Sequence, residues 1–134
     1  MLKRNVIVKF VNRGSKADEE TQFRNQLPND KACWGMCQFT FNPLVKNYDW
    51  LVIIDDVPKI LKSRVEELRC PKENTILITT EPETISRYGR AFAKQFHYLI
   101  TNHPKEVLPH PNPIRSQTGN VWLYWRDFDT VISM

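Results

Sequence analysis

Glu81 stands where two contrasting segments meet. Before it runs Thr75-Ile76-Leu77-Ile78-Thr79, an apolar stretch of strand type, and after it comes Pro82, which marks a helix start. Ligands of open α/β sheets bind beyond the carboxyl ends of the strands. A carboxylate placed there can take the proton of a reacting hydroxyl, as a general base does. A local reading competes with this one. Thr80-Glu81-Pro82-Glu83 matches a capping box, with Thr80 as N-cap and Glu83 reaching back as the third helical residue. Proline is tolerated in a first turn, where its missing N–H would have no partner. An acid there also favours the helix dipole by about 0.3–1 kcal/mol. The capping box accounts for Glu83 fully and for Glu81 only in part, which leaves Glu81 a separate role to explain.

Asp55-Asp56 ends a second apolar run. Adjacent strand residues point to opposite faces, so the pair is not a chelate; one faces the cleft and the other caps the following turn. Without a third carboxylate no magnesium site is expected. His103 and His110 lie in proline-rich loops and read as exposed residues, with acid–base work as the alternative. Cys33, Cys37 and Cys70 are the three cysteines. The odd number argues against a disulfide framework. The Cys33/Cys37 spacing lacks the second pair that a zinc site needs, so no metal is expected. The four glycines, at 14, 35, 89 and 119, are too scattered for a phosphate loop.

The elements that must position these residues follow from pattern. Asn5–Val11 alternates and is β-branched, a first strand. Ala17–Gln26 is expected to be a short polar helix anchored by Phe23 and Leu27. Met36–Phe41 forms a second strand, broken by Asn42-Pro43. Trp50–Ile54 is a continuous apolar run, as in a central parallel strand covered on both faces. Pro58–Leu68 is expected to be a helix with Ile60, Leu61, Val65 and Leu68 on its apolar face. Pro82–Phe96 is expected to be a longer one, with Ile85, Tyr88, Phe92 and Phe96 as a buried stripe. Arg87, Arg90 and Lys94 then form its solvated side. His97–Thr101 is a further strand. Pro104 to Pro113 should be extended and irregular, and Asn120–Trp125 a last strand, whose Trp122, Tyr124 and Trp125 form an aromatic cluster for a core or interface. Alternation of strands and helices predicts an α/β sandwich with a mostly parallel sheet.

The chain has 134 residues, enough for one domain spanning 1–134 with its own core. With 41% apolar and 25% charged residues it has an ordinary globular composition. Its net charge of +4 tolerates an anionic ligand, but no Lys/Arg run marks a nucleic-acid surface. No apolar run approaches the roughly 20 residues of a membrane span. The expected location is cytoplasmic, with a peripheral membrane position compatible.

Several motifs in order then bear on function. They are Asp49-Trp50-Leu51-Val52-Ile53-Ile54-Asp55-Asp56-Val57-Pro58, Cys70-Pro71-Lys72-Glu73-Asn74-Thr75, Ile78-Thr79-Thr80-Glu81-Pro82, Tyr88-Gly89, Gln95-Phe96 and Leu108-Pro109-His110-Pro111. Over residues 49–125 this set resembles the amino-terminal half of bacterial proteins of glycosyltransferase family 10, the α-1,3/1,4-fucosyltransferase-like enzymes. The resemblance implies a Rossmann-like three-layer sandwich that is one half of a GT-B architecture. It implies an acceptor glycan on this half and a nucleotide sugar, GDP-fucose, on a donor-binding domain. No cofactor beyond the donor substrate is implied. Glu81 matches the glutamate of a Thr-Gly-Glu-like motif that serves as base in an inverting reaction, with Thr80 where glycine is common. Thr80, Glu83, His110 and Asn112 are the acceptor-binding residues expected with it. Because the sequence stops at Met134, the expectation is an acceptor-side half that needs the missing domain or a partner chain and transfers no sugar alone. The other expectation is a non-catalytic α/β binding or interaction module. A receiver-like signalling domain, suggested by Asp55-Asp56, lacks an assembled switch hydroxyl and lysine.

Overall fold

The structure, a computed structural model, describes residues 4–16, 27 and 32–116. The expected helix Ala17–Gln26, the strand Asn120–Trp125 and the Trp122/Tyr124/Trp125 cluster lie outside the described residues.

Among the described residues seven strands form one sheet: β1 (Val6–Asn12), β2 (Cys33–Trp34), β3 (Cys37–Thr40), β4 (Trp50–Ile54), β5 (Thr75–Ile78), β6 (Tyr98–Thr101) and β7 (Pro113–Arg115). Their order is β2-β3-β1-β4-β5-β6-β7. Every neighbouring pair is parallel except β2 with β3. The expected mostly parallel α/β sheet is therefore present, in a helix-poor form. The β-branched and aromatic content of β1, β4 and β5 suits a pleated, packed surface.

The strand order reverses at β1, with β3 on one side and β4 to β7 on the other. Such a reversal parts the loops at the carboxyl ends and makes the usual ligand crevice of open parallel sheets. Here the Lys59 amide donates to the Arg13 carbonyl (2.9 Å), which ties the loop after β4 to the end of β1.

Alternation puts Val11, Leu51, Ile53, Leu77 and Leu99 on one face. They form the core with Tyr48, Val57, Ala93, Phe96 and Leu108. Leu77 and Leu99 are fully buried, and each stabilises the fold by about 1.5–3 kcal/mol over an exposed side chain. On the other face Trp50 and Tyr98 stack at 6.4 Å, and Phe10 meets Phe39 edge-on at 6.2 Å.

The two expected helices are largely replaced by irregular chain. Within Pro58–Leu68 only Lys62–Arg64 makes a 3-10 turn, and Ser63 and Arg64 have positive φ. Two residues in the left-handed region end any helix there. Ile60, Val65 and Leu68 are exposed, contrary to the expected apolar face. What holds this segment down is polar. Lys9 of β1 is buried among the apolar residues of its face, and its Nζ donates to Glu66 Oε1 (2.8 Å) and the Val45 carbonyl (2.9 Å). Tyr48 Oη donates to the same Glu66 oxygen (2.9 Å).

Within Pro82–Phe96 only Arg90–Ala93 is α-helical. Gly89 before it is extended, and Ile85 is 70% exposed. Tyr88, Phe92 and Phe96 do pack against the core as expected. Arg87, Arg90 and Lys94 are exposed as expected. The stretch Pro104–Pro113, expected to be irregular, ends in β7, which pairs with β6 through Ile114 opposite Ile100. Proline fits because it opens this strand, where a donor can be spared.

Candidate functional site

The carboxyl ends of β4, β5 and β6 carry a connected polar cluster. It begins at Asp55, which follows β4. Asp55 has φ +65° and its neighbour's amide, Asp56 N, donates back to the Ile54 carbonyl (2.8 Å). This is a γ-turn with positive φ, a strained form. Strain of this kind costs of order 1–3 kcal/mol and persists only where the surroundings over-determine it. Here they do. The Asp55 amide continues the ladder onto the Ile78 carbonyl (2.8 Å). Its carboxylate accepts from the Thr80 amide (2.7 Å), from the Thr80 hydroxyl and from the Tyr88 hydroxyl.

Those bonds change the reading of Thr80. No helix starts after it: Pro82 to Ile85 is a turn in which the Ile85 and Ser86 amides both donate to the Pro82 carbonyl (3.0 Å each). The Thr80 hydroxyl donates to the Asp55 carboxylate, a charge-assisted bond, and no helix N-terminus follows for its oxygen to cap. The capping box is thus corrected for both Thr80 and Glu83. Glu83 lies half-buried in the turn.

Glu81 sits at the junction, half-buried, with both backbone groups held by side chains. Its amide donates to the Tyr88 hydroxyl oxygen over a long 3.4 Å. Its carbonyl meets His103 Nε2 at 2.8 Å. The Glu81 carboxylate itself has no hydrogen bond or ion pair among the described residues. Tyr88 therefore links the Asp55 carboxylate to the Glu81 backbone. Burial, reinforced by the Asp55 carboxylate, pushes its hydroxyl well above the ordinary tyrosine range.

His103, read from sequence as an exposed loop residue, is 1% exposed. Its ring meets Tyr88 edge-on at 5.3 Å. Its amide donates to Thr101 Oγ1 (3.0 Å), whose hydroxyl is 2.6 Å from that of Thr79. Its carbonyl accepts from Arg115 Nε (3.0 Å). Sequence reasoning assigned Tyr88 to the core stripe alone and kept His103 only as an alternative acid–base residue. The available signal was the placement of Thr101-Asn102-His103 at the end of a strand, matching Thr79-Thr80-Glu81 at the end of its neighbour.

His110 and Asn112 lie elsewhere. His110 Nε2 is 2.8 Å from the Phe96 carbonyl, and Asn112 Nδ2 donates to the His97 carbonyl (3.1 Å). Both contacts flank the amino end of β6, so the sheet places these residues away from Glu81. Asp56 caps the next turn through the Val57 amide (2.8 Å) and pairs with Arg64 (2.6 Å), while Asp55 faces the cluster, as the alternation required.

No group of three or more His, Cys, Asp or Glu among the described residues could hold a metal ion. Cys33 faces Gln38 and Cys37 faces Trp34 across the β2–β3 hairpin. The two thiols therefore leave opposite faces of the ribbon, and all three cysteines are free. No helix among the described residues is long and apolar enough to cross a membrane.

The fold and site together define a mostly parallel α/β sheet with a polar, carboxylate-bearing carboxyl edge. No protein-family model matches the chain, and no curated protein or solved structure matches it.

Proposed function

We propose that the chain is the acceptor-side half of an inverting, fucosyltransferase-like glycosyltransferase, a Rossmann-like half of a GT-B architecture, with Glu81 as general base. The observation that carries this reading is the state of Glu81. Its backbone is held at both the N–H and the carbonyl, while its carboxylate has no described partner and sits at the carboxyl edge of a parallel sheet. A structural acid spends its oxygens on the fold, as Asp55 does. A fixed main chain with an unpaired carboxylate supports this reading, because Glu81 can meet a ligand without giving up a bond of the fold.

The chemistry follows. Glu81 accepts the proton of an acceptor-glycan hydroxyl as that oxygen bonds to the anomeric carbon of a nucleotide sugar. The bond from that carbon to the diphosphate oxygen breaks, and the nucleoside diphosphate leaves with the electron pair. The configuration inverts. GDP-fucose is the donor this reading takes, bound by a donor-binding domain or a partner chain. With that domain supplied, transfer to a glycan acceptor should fall about 10²–10⁴-fold in Glu81→Gln, with the far-ultraviolet circular dichroism unchanged. Full transfer by this variant would remove Glu81 from the role.

The second reading, a non-catalytic interaction module, is favoured by one observation. Ile60, Val65, Leu68 and Ile85 are all exposed on segments without regular structure. A glycan that shifts the Glu81 and Thr80 amide resonances speaks for the first reading. A protein partner that protects residues 60–68 and leaves Glu81 untouched speaks for the second.

A further inference from the structure

We infer that His103 is a positioning residue for Glu81, acting through the hydrogen on its Nε2. The atom opposite Nε2 fixes where its hydrogen lies. A carbonyl oxygen has no proton to give, so in the 2.8 Å contact to Glu81 the hydrogen belongs to His103 Nε2. In the neutral ring Nδ1 then carries a lone pair. That nitrogen is buried and has no partner among the described residues. The great majority of buried polar atoms are hydrogen-bonded, and an apolar side chain of similar shape at position 103 would not carry this unpaired atom. Among the described residues the contact to Glu81, with its hydrogen on Nε2, is the one polar bond made by the His103 ring.

His103 is itself anchored. Its amide is held by Thr101 and its carbonyl by Arg115 of β7. The Thr101 hydroxyl is in turn buried against Thr79, two residues before Glu81. Position is thus transmitted from the β6–β7 edge through the imidazole to the Glu81 carbonyl. Tyr88, packed edge-on to the same imidazole, holds the Glu81 amide from the other side. The two rings hold the main chain of Glu81, so the direction of its Cα–Cβ bond is set without any bond to its carboxylate. Its functional meaning rests on the reading of Glu81 as a base; the positioning itself does not.

The experiment measures backbone amide order parameters of the full chain by nuclear magnetic resonance, with Leu77 and Leu99 as monitors of the core. The wild-type Glu81 amide should be rigid, near about 0.85. In His103→Leu, which removes the donor and keeps the bulk, it should fall below about 0.6 while Leu77 and Leu99 hold their values. In His103→Gln, whose amide can donate to the same carbonyl, it should return toward wild type. A Glu81 value unchanged in His103→Leu overturns the proposal, and so does a failure of glutamine to restore it. If His103→Leu does not fold, the nitrogen-15 shifts of His103 in the wild type decide: a proton on Nδ1 alone overturns the proposal, and one on Nε2 supports it. The sugar-transfer reading fails separately, by a Glu81→Gln variant that still transfers or by a glycan that leaves Glu81 unperturbed.

Discussion

Asp55 and Thr80 are joined twice across the end of the β4–β5 pair: both the amide and the hydroxyl of Thr80 donate to the Asp55 carboxylate. A residue in a strained turn is thereby locked to the segment that carries the candidate base.

The first prediction concerns this lock. Hydrogen bonds to charged groups contribute about 1.5–3 kcal/mol each, and Asp tolerates the left-handed region better than most residues. Asp55→Ala should lower stability by more than about 2 kcal/mol, with Asp55→Asn milder because asparagine keeps both an acceptor and tolerance of positive φ. Urea midpoints of the three proteins provide the measurement. Equal stability of Asp55→Ala and wild type would show that the carboxylate holds nothing.

Glu81 should behave in the opposite way. Its carboxylate has no described partner, so Glu81→Gln should stay within about 0.5 kcal/mol of wild type, as surface-type substitutions do. Tyr88→Phe, which removes one donor to Asp55 and one acceptor for Glu81, should lose about 1–3 kcal/mol. Thermal melts of the pair test the contrast. A large loss in Glu81→Gln would assign the carboxylate to the fold.

The buried pair Lys9–Glu66 makes a third case. Their side chains are 2% and 11% exposed. Removing one partner strands the other charge, at a cost of about 3–5 kcal/mol, whereas replacing both with apolar residues is often neutral. Lys9→Met should be strongly destabilised, and Lys9→Met/Glu66→Leu should regain most of the loss. A double-mutant cycle in urea reads the coupling, and simple additivity would contradict it.

Alkaline pH tests both tyrosines. Burial is the main cause that raises the Tyr48 and Tyr88 hydroxyls above the ordinary value of 10.0; Glu66 and Asp55 add to it. The unfolded chain releases these protons near pH 10, while the folded chain retains them. Above that pH the folded state binds more protons, so stability must fall as pH rises. Their contribution is complete below about pH 10 and is lost as pH climbs through the folded values. Tyr48→Phe/Tyr88→Phe should flatten the decline in the urea midpoint between about pH 9 and about pH 11. An identical slope in the double variant would refute the assignment.

The strands were legible because their signal is local. The β-branched runs at Val6–Val11, Trp50–Ile54 and Thr75–Ile78 allow little else. β2 and β7 were not, since two exposed residues and a proline-led triplet carry no periodicity. The helices failed for a tertiary reason. The apolar spacing at Leu61/Val65 and at Ile85/Tyr88 is helical, but Glu66 is drawn to Lys9 and Tyr88 to Asp55, and these long-range bonds fix other backbone paths. In the site, Glu81 was readable as a strand-end carboxylate. Thr80 was misread as a cap because its true acceptor lies 25 residues earlier. His103 was misread as exposed because nothing local reveals that Tyr88 and Arg115 enclose it.

The Lys9–Glu66 bond spans 57 residues of chain, and this separation bears on the order of assembly. Closing so long a loop costs entropy before any contact offsets it. The ammonium gains nothing from leaving water until Glu66 and the Tyr48 ring, whose centroid lies 5.2 Å from Nζ, are already in place. This bond therefore belongs to the last stage of folding. Its loss should act mainly by speeding the escape from the native state, with little change in the rate of arrival.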